Sequence, residues 1–148
     1  MTRRRPFGFT LIELLTALVV VAVLTAVAVP LWRVHLLRVR RTEAATALIA
    51  LQSAQDRHFG REARYADATQ LTRPAPGGLG LRAQSEHGYY DISLRTSDDG
   101  LGYLATARAV RAAGQADDAR CVEFTLDENN RRRALDSEGT DRSADCWR

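Results

Sequence analysis

An apolar run near the N-terminus limits what the rest of this chain can be. Residues 9–29 read FTLIELLTALVVVAVLTAVAV and contain one charged residue, Glu13. At about 1.5 Å of rise per residue, a helix of this length spans a hydrocarbon core of about 30 Å. The arginines at positions 3–5 favour a cytoplasmic N-terminus, although four more arginines follow the run closely. We therefore expect one membrane span ahead of one small domain in this chain of 148 residues.

Three interpretations of the run differ in how they treat Glu13. A plain membrane anchor does not explain this residue, because a carboxylate in hydrocarbon is costly unless it is protonated or paired. A secretory signal peptide would be cleaved after AVA at residues 26–28, but the run is long for such a signal. The third interpretation rests on GFTLIE at residues 8–13, where a short basic leader ends in Gly8 and Phe9 stands four residues before Glu13.

Those six residues resemble the processing site of type IV pilins and the related pseudopilins. The resemblance implies that residues 1–8 are a leader, which a prepilin peptidase removes between Gly8 and Phe9, and that Phe9 is then N-methylated. It also implies an assembly role for Glu13, whose buried carboxylate would pair with the α-amino group of Phe9 in a neighbouring subunit and set the axial register. A protonated carboxyl group facing another helix is the alternative. Pro30 falls where such pilins often carry a proline, and we expect a kink there because proline removes a backbone donor.

Residues 30–59 are expected to continue the helix as an amphipathic half. An imperfect apolar stripe recurs at spacings of three and four residues, at Val34, Leu37, Arg41, Ala44, Leu48, Leu51, Gln55 and Phe59. Two separate helices broken at Pro30 are the alternative. Residues 60–64 are expected to end the helix, with His58 capping or flanking that end.

Residues 60–148 are expected to form a globular head. Polar and apolar side chains alternate from residue 89 to 95, and further strands are predicted at 103–110 and 121–126. The sequence DENN at 127–130 then turns the chain into residues 131–135. One face of such a sheet needs a cover, which the helix stripe supplies. We therefore predict an α+β, type IV pilin-like fold, in which a long N-terminal helix packs on a small antiparallel sheet of three to four strands.

The C-terminal half adds to the resemblance. The segments YYDI at 89–92, YLATA at 103–107, CVEFTLD at 121–127 and CW at 146–147 are similar to minor pilins of the PilE type. This chain departs from that group at Asn129-Asn130, where a glycine is common, but asparagine tolerates left-handed geometry. A type II secretion pseudopilin would share the leader and the helix, whereas the ending at 146–147 is more similar to type IV pili.

The chain has two cysteines, Cys121 and Cys146, both in the part expected to face the periplasm, where disulfides persist. A bridge between them is predicted, and it would stabilise the head by about 3 kcal/mol on a chain-entropy estimate. Free or metal-binding thiols are the alternative, although no histidine stands close to either cysteine in the sequence.

The basic charge of the chain lies mainly in the leader. All 21 basic residues are arginines, and removing the three at positions 3–5 leaves 18 arginines against 18 acids. A DNA-binding pilin is nevertheless an alternative, since some relatives bind DNA through basic surface strips. Its contacts would be Arg131, Arg132 and Arg133, with Arg108, Arg111 and Arg120 close by. Against it, 15 acids outnumber 13 arginines from residue 60 onward, and alternate residues of a strand point to opposite faces.

The sequence predicts neither catalysis nor a cofactor or metal site. The paired acids at 98–99 and 117–118 stand in polar segments and are expected to be solvated turns, and the glycines at 77–80 lack the strand-to-helix context of a phosphate loop. The histidines are scattered, at His35, His58 and His87.

We therefore expect a structural subunit, of the minor-pilin type, in a type IV pilus that serves motility, adhesion or DNA uptake. The expected partners are other pilins, the prepilin peptidase/methyltransferase, the inner-membrane assembly platform and, before assembly, the lipid bilayer, with DNA less favoured. The expected location is the bacterial inner membrane, with the head in the periplasm, and then the extracellular filament.

Overall fold

The computed structural model describes residues 10–147 and begins with a long helix. Helix α1 spans Leu11–Glu62. The chain divides into two compact units, the first ending at Leu36 and the second beginning at Leu37. Every side chain from residue 10 to 35 is exposed. Among the described residues, α1 is the one helix long and apolar enough to cross a membrane.

Helix α1 is a single element through Pro30, so the alternative of two separate helices is wrong. A kink at Pro30 stays a prediction. The helix ends at Glu62 rather than at the predicted Phe59, since an exposed Gly60 fits within it. It stops where Ala63 adopts a left-handed φ of 55° and donates its N–H to the carbonyl of Phe59 at 2.9 Å.

One face of the second part of α1 is buried, at Ala44, Leu48, Leu51, Ala54, Gln55 and His58. The predicted stripe is confirmed in its central part but is wrong at its end. Phe59 is 36% exposed, whereas His58 is 2% exposed and does not act as an exposed flank of the helix end. About four turns of 3.6 residues separate Ala44 from His58, which keeps the histidine in phase with the buried face.

Four strands form an antiparallel meander in the order β1-β2-β3-β4. The strands are β1 (Tyr90–Thr96), β2 (Tyr103–Ala109), β3 (Glu123–Asp127) and β4 (Arg132–Leu135), followed by the short helix α2 (Ser143–Cys146). The predicted α+β fold and strand order are confirmed, with strand ends shifted by one or two residues. Asn130 has a φ of 58°, so it supplies the left-handed position of the β3–β4 turn.

The buried face of the sheet and the buried face of α1 share one core. Tyr90, Leu94, Phe124 and Leu126 are its large members from the sheet. The middle of β2 contributes only Ala105 and Ala107, both fully buried. These small side chains leave room for the leucines of the helix, so the head has its own close-packed centre.

The segment between α1 and β1, for which the sequence suggested no structure, is anchored at several points. Ala66, Leu71 and Leu79 are buried in the core. A short 3-10 turn at Ala68–Gln70 is capped by Asp67, whose carboxylate accepts the N–H groups of residues 69 and 70. The buried glycine Gly78 lies so close to the loop that an added Cβ would stand 2.4 Å from the carbonyl oxygen of Arg73.

Candidate functional site: the outer sheet face and the C-terminal clasp

The outer sheet face is the surface of the sheet that points away from α1. Strand register aligns Ser93, Thr106, Thr125 and Arg133 in one row across this face. The neighbouring row aligns Asp91, Arg108, Glu123 and Leu135. The face therefore presents hydroxyl groups flanked by charges of both signs.

The arginine triplet 131–133 is divided by the alternation of strand side chains, as the sequence predicts. Arg133 is registered with Thr125 on the outer sheet face, and Arg131 stands just before the start of β4. Arg132 is registered with the buried Leu126 instead, and its guanidinium lies 5.4 Å from the ring centroid of Trp147. A single flat cluster of the three arginines is therefore not formed.

Two of the other arginines considered for DNA contact form ion pairs. Arg108 forms an ion pair with Glu123 on the outer sheet face. Arg120 pairs with Asp145 at 3.1 Å. Within residues 10–147, ion pairs are found for neither Arg131 nor Arg133, nor for Arg95 at the other edge of the face.

The C-terminal clasp consists of residues 136–147, held to the sheet by a disulfide. Cys121 and Cys146 are bonded, with Cα atoms 5.9 Å apart, so the predicted bridge is present. Ala134 donates its N–H to Ser143 Oγ at 2.9 Å and accepts the N–H of Arg142 at 2.8 Å. The clasp thereby covers the edge of β4 at Ala134.

Trp147 closes the clasp. Its indole Nε1 donates to the carbonyl of Arg133 at 2.8 Å, and its ring meets Phe124 edge-to-face with centroids 5.6 Å apart. The indole satisfies its polar atom while its apolar body joins the core.

A buried polar network fastens the β2–β3 loop to α1. Arg41 and Asp118 form a two-point ion pair at 2.6 and 2.8 Å. Gln115 donates to the hydroxyl of Tyr90 at 2.9 Å and to the carbonyl of Leu37 at 3.3 Å. The hydrogen bond to Asp118 raises the pKa of Arg41, and burial raises the pKa of Tyr90.

Asp118 was expected in a solvated turn, and that prediction is wrong, because its side chain is 5% exposed. Its neighbour Asp117 is exposed, as expected. The pair also explains why Arg41 interrupts an otherwise apolar stripe. The Arg41 side chain faces the head, where its buried charge needs a carboxylate partner.

A second polar contact ties α1 to the segment before β1. Glu43 accepts the backbone N–H of His87 at 3.2 Å and lies 2.7 Å from its Nδ1. The guanidinium of Arg40 lies 4.2 Å from the ring centroid of Tyr89. Both contacts join residues more than forty positions apart, which sequence spacing does not reveal.

The sequence-predicted processing residues, Gly8 and Phe9, lie outside the described residues. Glu13 lies exposed in the first turn of α1, where its backbone N–H donates to Thr10 Oγ1 at 3.3 Å. The sequence TLIE at residues 10–13 is thus an N-terminal capping motif, which was not predicted although a threonine three residues before a glutamate is its usual signal. Among the described residues, no group of three or more acidic, histidine or cysteine side chains is placed to hold a metal ion.

These features define a small α+β head with a disulfide-closed C-terminus, carried on an apolar helix. Residues 30–125 match the family model described as "Type IV minor pilin ComP, DNA uptake sequence receptor". Residues 3–29 match the model described as "Prokaryotic N-terminal methylation motif". Since the first match covers well over half of its length, the chain belongs to this family of type IV pilins.

Two individual proteins are similar to this chain. The type IV major pilin protein PilA of Myxococcus xanthus (strain DK1622) is 40% identical over 95 residues, which cover 62% of this chain and 42% of that protein. The chain therefore matches less than half of the length of that relative. A solved structure of a type IV pilin from Shewanella oneidensis shares 25% identity and a TM-score of 0.47, over 65% of this chain and 89% of that chain.

Proposed function

We propose that this pilin is a structural subunit, of the minor type, that is assembled into a type IV pilus or primes its assembly. One observation carries the proposal. The side chains of residues 10–35 are all exposed and almost all apolar, while residues 37–147 have a core of their own. An apolar surface of this size requires a cover, which is lipid before assembly and the helices of other pilins afterwards.

Maturation follows from the leader. A prepilin peptidase/methyltransferase cleaves between Gly8 and Phe9 and methylates the new N-terminus. The match of residues 3–29 to an N-terminal methylation motif supports this step. The precursor resides in the inner membrane with its head in the periplasm, and the assembly platform transfers it to the extracellular filament. In the filament, Glu13 pairs with the α-amino group of Phe9 in a neighbouring subunit, which fixes the axial register.

Mass spectrometry of the N-terminal peptide, purified from cells with the full export machinery, tests the maturation. The expected peptide begins at methylated Phe9. A peptide beginning at Val29 would mean that a signal peptidase releases a soluble head, and the filament proposal would then be wrong.

Detection of the matured subunit in sheared pili, rather than only in a secretion pseudopilus, separates the pilus from the pseudopilin alternative. In this proposal the role is structural rather than enzymatic, and it serves motility or adhesion.

DNA uptake is a second candidate function, which two observations favour. The family model that matches residues 30–125 is described as a DNA uptake sequence receptor. Arg133 lies on the outer sheet face and Arg131 just precedes β4, and neither has an ion-pair partner among residues 10–147. Arginines of this kind release counterions when they bind phosphates, so the affinity should fall steeply with salt.

The divided triplet supplies a matched control for this candidate. Replacing both Arg131 and Arg133 with alanine should weaken DNA binding by the detergent-solubilised chain and reduce its salt dependence. Arg132→Ala should have a smaller effect than either Arg131→Ala or Arg133→Ala alone, because Arg132 lies over Trp147 instead. Equal affinity for DNA in the double variant and the parent would exclude this surface.

A further inference from the structure

A cleft of ≈ 1080 Å³ lies in the head between the end of α1, the segment after it and the β1–β2 turn. His58 lines this cleft and is 2% exposed. Neither of its ring nitrogens has a hydrogen-bond partner among the described residues. A buried imidazole usually satisfies both nitrogens, so the unpartnered nitrogens of His58, in a residue that lines the cleft, are the first sign of a missing ligand.

The charged lining of the cleft is mixed in sign and unpaired. The acids are Glu62, Asp67, Asp98 and Asp99, and the arginines are Arg64, Arg73 and Arg95. Within residues 10–147, none of these seven side chains has an oppositely charged atom within the 4.0 Å of an ion pair. A strongly charged ligand of either sign would meet like charges, so the lining suits a ligand without net charge.

Two of the acids are held in fixed orientations. Asp67 uses Oδ1 to accept the N–H groups of Thr69 and Gln70. Asp99 uses Oδ1 to accept the hydroxyl of Ser97 and the N–H of Leu101. The second oxygen of each carboxylate makes no hydrogen bond within the described part of the chain, so it is available to accept from a ligand.

The edge of β1 adds backbone groups to the lining. The carbonyl of Tyr90 accepts from Ser85, and the N–H of Ile92 donates to Ala83, so these residues turn their polar groups away from β2. Leu94 continues this edge and lines the cleft. Neither its N–H nor its carbonyl has a partner between residues 10 and 147.

An aromatic wall completes the cleft. Tyr65 lines it and is fixed by Phe59 and Tyr103, with ring centroids 4.7 and 4.8 Å away. Hydroxyl groups both donate and accept, so they satisfy carboxylates, guanidinium groups and an imidazole together. Aromatic side chains cover the apolar face of a ligand in such sites. We propose that this cleft binds a sugar residue of a glycan.

Histidine NMR on the full chain in detergent micelles tests the proposal, because the chain has only three histidines. The probes are methyl β-glucopyranoside, methyl β-galactopyranoside and N-acetylglucosamine, with inorganic phosphate and glycine as comparisons. At least one sugar should cause a saturable shift of the His58 ring signals and leave His35 and His87 unchanged. If none of the three sugars shifts His58, or if only phosphate or glycine does, the proposal is wrong.

A matched pair of double variants separates the cleft from general charge effects. Arg73→Gln with Asp98→Asn removes two exposed cleft side chains and should weaken sugar binding about ten-fold. Arg111→Gln with Asp117→Asn makes the same charge change at exposed positions outside the cleft and should leave binding unchanged. Equal binding by both double variants would assign the His58 shift to another site and overturn the proposal.

Discussion

Arg41 in α1 and Asp118 in the β2–β3 loop form a two-point ion pair between residues 77 positions apart in sequence. The Arg41 side chain is 15% exposed and the Asp118 side chain 5%. Together with Gln115, the pair connects the loop that precedes Cys121 to the helix. Without these contacts, the loop would not be held against the helix at this end of the head.

Arg41→Ala should destabilise the head by about 3 kcal/mol, because it leaves the Asp118 carboxylate buried without a partner. Replacing the pair with Arg41→Met and Asp118→Leu should recover most of that loss, since neither variant residue carries a charge. Thermal unfolding of the detergent-solubilised chain measures both effects. Arg38→Ala, at an exposed position on the same helix, is the control. Equal melting temperatures for Arg38→Ala and Arg41→Ala would show that the pair contributes nothing.

Reduction of the Cys121–Cys146 bridge should lower the free energy of unfolding by about 3 kcal/mol, mostly through the loop that it closes. The clasp should also loosen, because Trp147 packs on Phe124 next to Cys146. In a Trp32→Phe background, tryptophan fluorescence reports on Trp147 alone and should shift to longer wavelength on reduction. Cys121→Ser with Cys146→Ser should behave like the reduced chain. An unchanged unfolding curve and emission maximum would contradict a stabilising bridge.

Gly78→Ala should destabilise the segment before β1 by about 1–3 kcal/mol, as overpacking does. The new Cβ would stand 2.4 Å from the carbonyl oxygen of Arg73 and 2.5 Å from that of Gln70, and backbone atoms cannot move aside cheaply. Gly77→Ala is the matched control, because its Cβ would meet only the flexible end of Arg73 at 3.6 Å. Hydrogen exchange at Leu79, which donates to the carbonyl of Gln70, follows the local effect. Equal exchange in both variants would show that the close approach is unimportant.

Glu13→Ala should leave maturation largely intact but reduce piliation strongly, because the proposed partner of Glu13 is the α-amino group of a neighbouring subunit. The fraction of processed subunit and the amount of sheared pili measure the two steps separately. Thr10→Val is the control for the helix cap, since Thr10 Oγ1 accepts the N–H of Glu13. Normal piliation in Glu13→Ala would contradict the pairing.

The sequence predicted the regular elements because their signals are periodic. Alternation located β1 through Tyr90, Ile92 and Leu94, and all three are buried. Spacings of three and four residues located the buried face of α1. The cysteine count, combined with the expected periplasmic location, predicted the disulfide.

The sequence did not reveal contacts between distant polar residues. The sequence predicts a solvated Asp118 because its neighbours are polar, whereas its partner Arg41 stands 77 positions away. The sequence predicts a flanking role for His58, because imidazole fits either environment. In the structure His58 is buried, and Tyr65 and the segment after it line the same cleft. Such pairings arise from tertiary structure and have no local periodicity.

The covered edge of β4 has a consequence for crowded assemblies. Strand edges with free N–H and carbonyl groups pair readily with other chains and fuse them into shared sheets. In this head, Ser143 and Arg142 already occupy the outward groups of Ala134. At Ala134, heads packed side by side along β4 therefore meet the clasp instead of free backbone groups, and no shared sheet can start from this residue.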